Sequence, residues 1–198
     1  MRTTRALFVF LSITLVSAAL APAQDKKAAP VEKLTAFAAA MQSGRTGVIQ
    51  ITINRWSTDE ERENLLVALQ EGGEQKLLDT LTAIRPPVGY MRTANSLGYD
   101  LYYARSTPTA DGGRHIVFAT NRRVAFGEAV NNTRSMQYQV SVGEIHLDKD
   151  GKGEGKLVPA AKVSWDRKAH KIEIENYGAL PVDLVNVKSD SGKSDKKS

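Results

Sequence analysis

The sequence predicts a mainly β (α+β) fold, with about eight antiparallel strands in a barrel or a sandwich and a two-helix hairpin between strands 1 and 2. Short segments that alternate apolar and polar residues recur along the second half of the chain, and glycine-containing turns separate them. Leucines at helical spacing follow the first such segment. The chain has 198 residues, of which 41% are hydrophobic, and this suits one globular domain.

The first strand and the helical hairpin are predicted from local patterns. Residues 48–54 alternate, with three isoleucines on one face. A capping box follows, formed by Ser57 with Glu60 or by Thr58 with Glu61. We expect a helix from there to Gly72-Gly73, and a second short helix that ends before the prolines at 86–87.

The remaining strands are predicted to pair antiparallel in sequence order, because short turns join most of them. With the first strand, they are expected near 48–54, 88–93, 98–105, 114–121, 136–147, 155–165, 171–177 and 181–188.

One predicted strand changes the parity of its apolar residues. Met136, Tyr138, Val140 and Val142 share one parity, whereas Ile145 and Leu147 share the other. A β-bulge at Gly143-Glu144 would keep both sets facing the core. A strand that ends at Gly143 is the alternative.

The amino terminus has the features of an export signal. Two arginines precede an apolar run, and Ala21-Pro22-Ala23 fits a signal peptidase, so we expect a signal peptide over 1–23. We interpret 24–44 as a flexible linker with a helical turn near 34–41, 45–188 as a single β-rich domain, and 189–198 as a disordered polar tail. The protein is then periplasmic or extracellular, with no integral membrane segment after signal removal.

Composition excludes several classes of function. The chain has no cysteine, which excludes a disulfide, a thiolate metal site and a cysteine nucleophile. The formal net charge is +5, but part of it lies in the signal and the tail. Since the body is nearly neutral, we expect no nucleic-acid partner.

Several short motifs resemble an uncharacterised family of exported proteins from soil bacteria. The resemblance extends over roughly 49–188, and it implies no activity, cofactor or catalytic residue. The motifs are Arg55-Trp56-Ser57-Thr58-Asp59, Asn95-Ser96-Leu97-Gly98-Tyr99-Asp100-Leu101, Gly153-Glu154-Gly155-Lys156-Leu157 and Glu175-Asn176-Tyr177-Gly178.

No motif for catalysis, metal binding or cofactor binding is recognised. The three histidines, His115, His146 and His170, lack helical ligand spacing, so we expect neither a metal site nor a cofactor. Asp148 to Gly151 resembles the start of a calcium loop, but its flanks are strands, which favours a hairpin turn.

The best candidate site from sequence is a long loop between two predicted strands. The loop spans 122–135, and alternating strands would bring it to the same end as 93–97 and 166–170. Arginines, amides and an aromatic ring suit a small acidic or polar ligand. The predicted ligand-binding residues are Arg122, Arg123, Phe126, Asn131, Arg134, Asn95 and His170.

Two classes of function follow. The preferred one is a non-enzymatic exported β-domain that binds a small acidic or polar ligand or an envelope partner. The alternative is a hydrolase of the cell envelope, with Asp100, Asp166 and His170 as the first suspects. A barrel interior sealed by large side chains would argue against an internal ligand.

Overall fold

In the part of the chain that the structure describes, the fold is mainly β, with ten strands in one antiparallel sheet and one helix. A computed structural model describes residues 29–40, 45–93, 98–124, 140–176 and 181–190, and the predicted signal over 1–23 lies outside them. The elements are β1 (Glu32–Ala40), β2 (Arg45–Ile53), α1 (Asp59–Ala83), β3 (Gly89–Thr93), β4 (Tyr99–Leu101), β5 (Tyr103–Pro108), β6 (Arg114–Thr120), β7 (Val140–Leu147), β8 (Lys152–Asp166), β9 (Lys171–Asn176) and β10 (Val182–Ser189).

The sheet curls into a nearly closed barrel, so the sandwich alternative is wrong. Its strand order is β4-β3-β2-β1-β10-β8-β7-β6-β5, with β9 paired to β8 off this path. The two ends of that order, β4 and β5, are consecutive in the chain and meet at a bend at Tyr102. The Tyr102 amide donates a hydrogen bond to the carbonyl of Ala119 on β6. One continuous segment therefore supplies both end strands of the sheet and pairs with β3 on one side and with β6 on the other.

The structure corrects the predicted linker. Residues Glu32–Ala40 form β1, which pairs with β2 on one side and β10 on the other. Leu34, Ala36 and Ala38 face the barrel interior and are almost fully buried. Two of these three interior residues are alanines, so the segment lacks the strong alternation of a strand such as β2. The prediction of a linker with a helical turn is therefore wrong over 32–40.

The structure also corrects the two-helix hairpin. Thr58, rather than Ser57, caps α1 through a capping box with Glu61, and the helix continues to Ala83. Only Gly73 leaves the helical region, at φ 66° and ψ −158°, and no loop separates the two halves. Glycine adopts this conformation at little cost, so the predicted stop at Gly72-Gly73 is a break within one helical element.

Two hydrophobic cores hold the fold together. The first fills the barrel interior with large buried side chains, including Ile49, Ile51, Met91, Phe118 and Leu157. The second lies between α1 and the outer face of the barrel. Its buried members are Leu65, Leu69, Leu81, Tyr102, Val140, Ala161 and Val163.

The presence of two cores explains the parity change in β7. Ile145 and Leu147 belong to the interior core, whereas Val140 belongs to the core under α1, and Val142 packs against it. The β6–β7 register is continuous through Gly143, so the predicted bulge at Gly143-Glu144 is wrong. A register shift is instead found between β7 and β8. From the Val140–Ala161 pair to the Val142–Val158 pair, β8 uses three residues where β7 uses two.

Pairing in sequence order fails at the carboxyl-terminal end. The long strand β8 pairs with β10 through its first half and with β9 through its second half. β10 then pairs with β1 instead of β9. Its last residue, Ser189, is buried, so the predicted tail does not begin there. Residues 191–198 lie outside the described part of the chain.

Candidate functional site

An apolar concave surface in the described part of the chain is a groove between α1 and the outer face of β5 to β9, which we call the α1 groove. Its volume is about 260 Å³. The helix contributes one wall and outward-facing side chains of the strands form the floor. Residues that line it include Leu65, Leu69, Leu77, Tyr103, Val117, Ala119, Val142 and Ile174.

The sequence builds this groove from two different periodicities. Val117 and Ala119 on β6, and Val140 and Val142 on β7, alternate with residues of the barrel interior. A strand presents every second residue to one face, so these side chains form an apolar outer surface. The α1 leucines recur at helical spacing and cover part of that surface. Ile172 and Ile174 on β9 remain about half exposed at its border.

The groove also has polar groups on its lining. Arg62 and Arg105 both line it, and the Arg105 guanidinium donates to Asp59 at 2.7 Å. Tyr103 lies among these three charged groups. Burial raises the pKa of the Tyr103 phenol, whereas the charges of Arg105 and Arg62 act to lower it. The phenol therefore stays neutral and can donate a hydrogen bond.

A second ion pair fixes the start of α1 near this region. The Arg55 guanidinium donates to both carboxylate oxygens of Glu61, at 2.9 and 2.8 Å. The same carboxylate accepts from the amide of Thr58 at 2.9 Å. The hydrogen bond from Arg55 holds the pKa of Glu61 below its ordinary value. This forked pair sets the position of the helix over the strands.

A cluster of possible metal ligands lies on β6 and β7. Side-chain donor atoms of His115, Glu144 and His146 all lie within 4.8 Å of one another. The two imidazole rings are stacked, with centroids 4.3 Å apart. The His115 Nε2 atom lies 3.6 Å from the Glu144 Oε2 atom. Antiparallel strand pairing therefore brings two of the three histidines together, although they lack helical ligand spacing.

The structure describes three of the seven ligand-binding residues predicted from sequence. Arg122 is exposed, donates to the carbonyl of Gly98 and lies 4.7 Å over the ring of Tyr99. Arg122 therefore contacts the beginning of β4 and the residue before it. Arg123 is half-buried. His170 lies in the β8–β9 turn against Trp165. Asn95, Phe126, Asn131 and Arg134 lie outside the described residues, so this site stays a prediction.

Two residues suspected in the hydrolase alternative, Asp100 and Asp166, lie in β4 and β8. The Asp166 carboxylate accepts from the amides of Lys168 at 2.8 Å and Ala169 at 3.1 Å. These hydrogen bonds lower the pKa of Asp166, with that from Ala169 the larger cause. Its role is to close the β8–β9 turn. Asp100 lies in β4 opposite Tyr90 and is exposed.

Sequence reasoning missed both the α1 groove and the histidine pair. A signal for each was present in the strand register. Once β6 and β7 are taken as a hairpin, His115 falls opposite His146, and Val117 falls opposite Glu144. The outward parity of Val140 and Val142 then indicates a covering element rather than a bulge.

Comparison with known proteins identifies no relative, since no family model, curated protein or solved structure matches the chain. Within the described residues, no helix has the length and apolar character needed to cross a bilayer.

Proposed function

We propose that this protein is a non-enzymatic binding domain whose α1 groove holds a small amphipathic acid, such as a medium-length fatty acid. The observation that carries the proposal is an apolar groove lined by two arginines. The apolar body of such a ligand would lie between the α1 leucines and Val117 and Val142. Its carboxylate would lie near Arg62 and Arg105.

The barrel interior supports an outer site over an internal one. Phe118, Met91 and several isoleucines in the interior are almost fully buried and pack together. Barrels of this size hold a ligand inside only where side chains leave room for it. A ligand is therefore expected outside the barrel, under the helix.

Size and charge define the ligand class. The volume of about 260 Å³ lies just below the range of drug-sized pockets, which begins at roughly 300 Å³. Each methylene group of the ligand that is taken out of water contributes about 0.8 kcal/mol, so the ligand's hydrocarbon tail supplies most of the affinity. An exposed ion pair contributes about 1 kcal/mol or less, so the arginines select acids more than they strengthen binding.

Together with the predicted export signal, this proposal describes a carrier or sensor of amphipathic acids outside the cytoplasm. Export and ligand binding are separate parts of the proposal, since the groove would bind the same ligands in either compartment.

Calorimetry with decanoate, decanol and butyrate tests the groove. Decanoate is expected to bind, decanol to bind about fivefold more weakly, and butyrate to show no saturable binding. Arg62→Gln should weaken decanoate by up to about fivefold and leave decanol nearly unchanged, because it removes the charge and keeps most of the apolar stem.

A groove-filling variant supplies the matched control. Val117→Trp should abolish decanoate binding by occupying the floor of the groove. Val48→Trp places the same side chain on the outer face of β2, at a residue that is already 38% exposed, and should bind decanoate normally. Equal binding by both variants, or no binding by the unaltered protein, would overturn the proposal.

A further inference from the structure

We propose that His115, Glu144 and His146 form a binding site for a late first-row divalent metal ion, with Zn²⁺ as the test ion. This proposal does not rest on the function proposed for the α1 groove. It rests on strand register, on the geometry of the donor atoms and on one unsatisfied nitrogen.

Strand register brings the three side chains together on a rigid scaffold. His115 on β6 lies directly opposite His146 on β7 in the antiparallel ladder. Glu144 lies two residues before His146, so it shares the same outer face of the sheet. Neighbouring β-strands hold such cross-strand pairs close together, which limits the rearrangement that binding requires.

The Nε2 atom of His115 is buried and has no hydrogen-bond partner. A buried polar atom without a partner is costly, and such an atom in a native structure calls for an explanation. The nearest carboxylate oxygen, Oε2 of Glu144, lies at 3.6 Å, which is too long for a hydrogen bond. Two ligands that share a tetrahedral metal with bonds of about 2.1 Å lie roughly 3.3–3.6 Å apart. The spacing therefore fits a bridging ion better than a direct contact.

The third donor comes from His146, whose ring stacks on that of His115 with an interplanar angle of 10°. All three donor atoms fall within 4.8 Å of one another. Ligands of one metal ion lie at most about 4.2 Å apart when its bonds are about 2.1 Å long. Because the two rings are nearly parallel, their nitrogen lone pairs do not converge, so the His146 ring must rotate to face a shared ion. Glu144 and His146 are exposed, which leaves space for this rotation and for closing the remaining distance.

The donor set selects the class of ion. Two imidazoles with one carboxylate suit Zn²⁺, Ni²⁺ or Cu²⁺, whereas Ca²⁺ and Mg²⁺ prefer sites made of oxygen ligands. Three protein ligands leave a coordination position for water or for a ligand group. The site lies one outward-facing residue beyond Val117 on β6, and Val117 lines the α1 groove.

The test measures Zn²⁺ binding by competition with a chromogenic chelator, using the full chain without a histidine tag. We expect one Zn²⁺ per chain. His115→Ala, His146→Ala and Glu144→Ala should each weaken binding by about tenfold or more, and Glu144→Asp should restore part of it. His170→Ala is the matched control, because His170 lies in the β8–β9 turn, and it should leave the affinity unchanged.

A spectroscopic readout separates a real site from a loss of folding. Cu²⁺ bound to the unaltered protein should show electron paramagnetic resonance couplings from two nitrogen ligands, and either single histidine variant should show one. Circular dichroism spectra should be the same for all variants. The proposal is overturned if the unaltered protein takes up no Zn²⁺, if the His115→Ala, His146→Ala double variant binds normally, or if His170→Ala abolishes binding. In those cases the two rings are only a stacked pair on the sheet surface.

Discussion

At the scale of the residue, Phe118 and Gly143 form a closely packed pair in the barrel interior. They lie opposite each other on β6 and β7. A Cβ atom added at Gly143 would lie 2.1 Å from the Cζ atom of Phe118, because the aromatic ring covers the glycine. An aromatic ring laid over a glycine on the neighbouring strand fills the space that a side chain would otherwise take. The close approach, rather than backbone freedom, is what requires glycine here.

Gly143→Ala is therefore expected to lower the free energy of unfolding by about 1–3 kcal/mol, since the ring or the strand must move. Urea denaturation of the two proteins measures the difference. Gly47→Ala is the control, because an added Cβ at Gly47 meets no atom within 4 Å, and its effect should stay within about 0.5 kcal/mol. In a Phe118→Leu background the cost of Gly143→Ala should fall, and an unchanged cost would contradict the proposed clash.

At the scale of the element, α1 begins at an amino-terminal cap in which side chains satisfy the free backbone amides. Thr58 and Glu61 satisfy backbone amides at the start of the helix, and Arg55 pairs with Glu61. Three acids lie in the first turn, where the helix dipole favours negative charge. These contacts position the helix over the outer face of the barrel.

The Glu61 carboxylate should make α1 sensitive to acid. Its folded-state pKa is lowered, chiefly by the hydrogen bond from Arg55. A group whose pKa is lower in the folded state stabilises the fold above its unfolded-state pKa, and this contribution is lost as pH falls through the folded-state value. We expect Glu61→Gln to cost roughly 1 kcal/mol at pH 7, and the difference from the unaltered protein to shrink below about pH 4.3.

Urea denaturation between pH 7 and pH 3 measures that difference directly. Asp111 and Asp166 also have lowered pKa values, so several groups contribute to the pH dependence of the unaltered protein. Only the difference in stability between the unaltered protein and Glu61→Gln isolates the contribution of Glu61. Glu60→Gln removes an exposed acid from the same helical turn and should produce a smaller, flatter difference. A pH-independent cost for Glu61→Gln would show that the charge of Glu61 does not contribute.

Local patterns predicted some elements well and failed where tertiary structure overrides them. The alternation in β2 and the capping box at Thr58 are strong local signals, and both elements are present. The parity change in β7 was misread because one strand can be buried on both faces when a helix covers the outside. The candidate groove was missed for the same reason, since sequence alone does not reveal which outer face α1 covers.

At the scale of the whole molecule, closure of the barrel depends on the first described strand. β1 lies between β2 and β10 in the sheet order. Its Glu32 carboxylate is almost fully buried and accepts from Arg114 on β6 at 2.7 Å and from Ser189 on β10 at 2.6 Å. These hydrogen bonds join three strands at one end of the barrel. The pairing of β1 with β10 joins residues that are far apart in the sequence, and local patterns do not reveal it. The composition of this alanine-rich segment therefore predicts a linker instead of a strand.

Two neighbouring residues of β1 test whether it is a structural strand. Ala36 is 1% exposed and faces the interior core, whereas Phe37 is 48% exposed on the outer face. Ala36→Asp should cost several kcal/mol because it buries a carboxylate among apolar side chains. Phe37→Asp should cost at most about 1 kcal/mol, the value of its cross-strand contacts with Val48 and Val185.

Chemical denaturation of the two variants measures this contrast between faces. If Ala36→Asp does not fold, Ala36→Ser provides the comparison, with an expected cost of about 1–3 kcal/mol for an unsatisfied hydroxyl. A linker would tolerate both changes equally, since neither side chain would leave water on folding. Equal midpoints for the Ala36 and Phe37 variants would therefore contradict the assignment of β1 to the barrel. A loss of stability confined to the Ala36 variant would support the assignment, because only an ordered strand gives adjacent residues opposite environments.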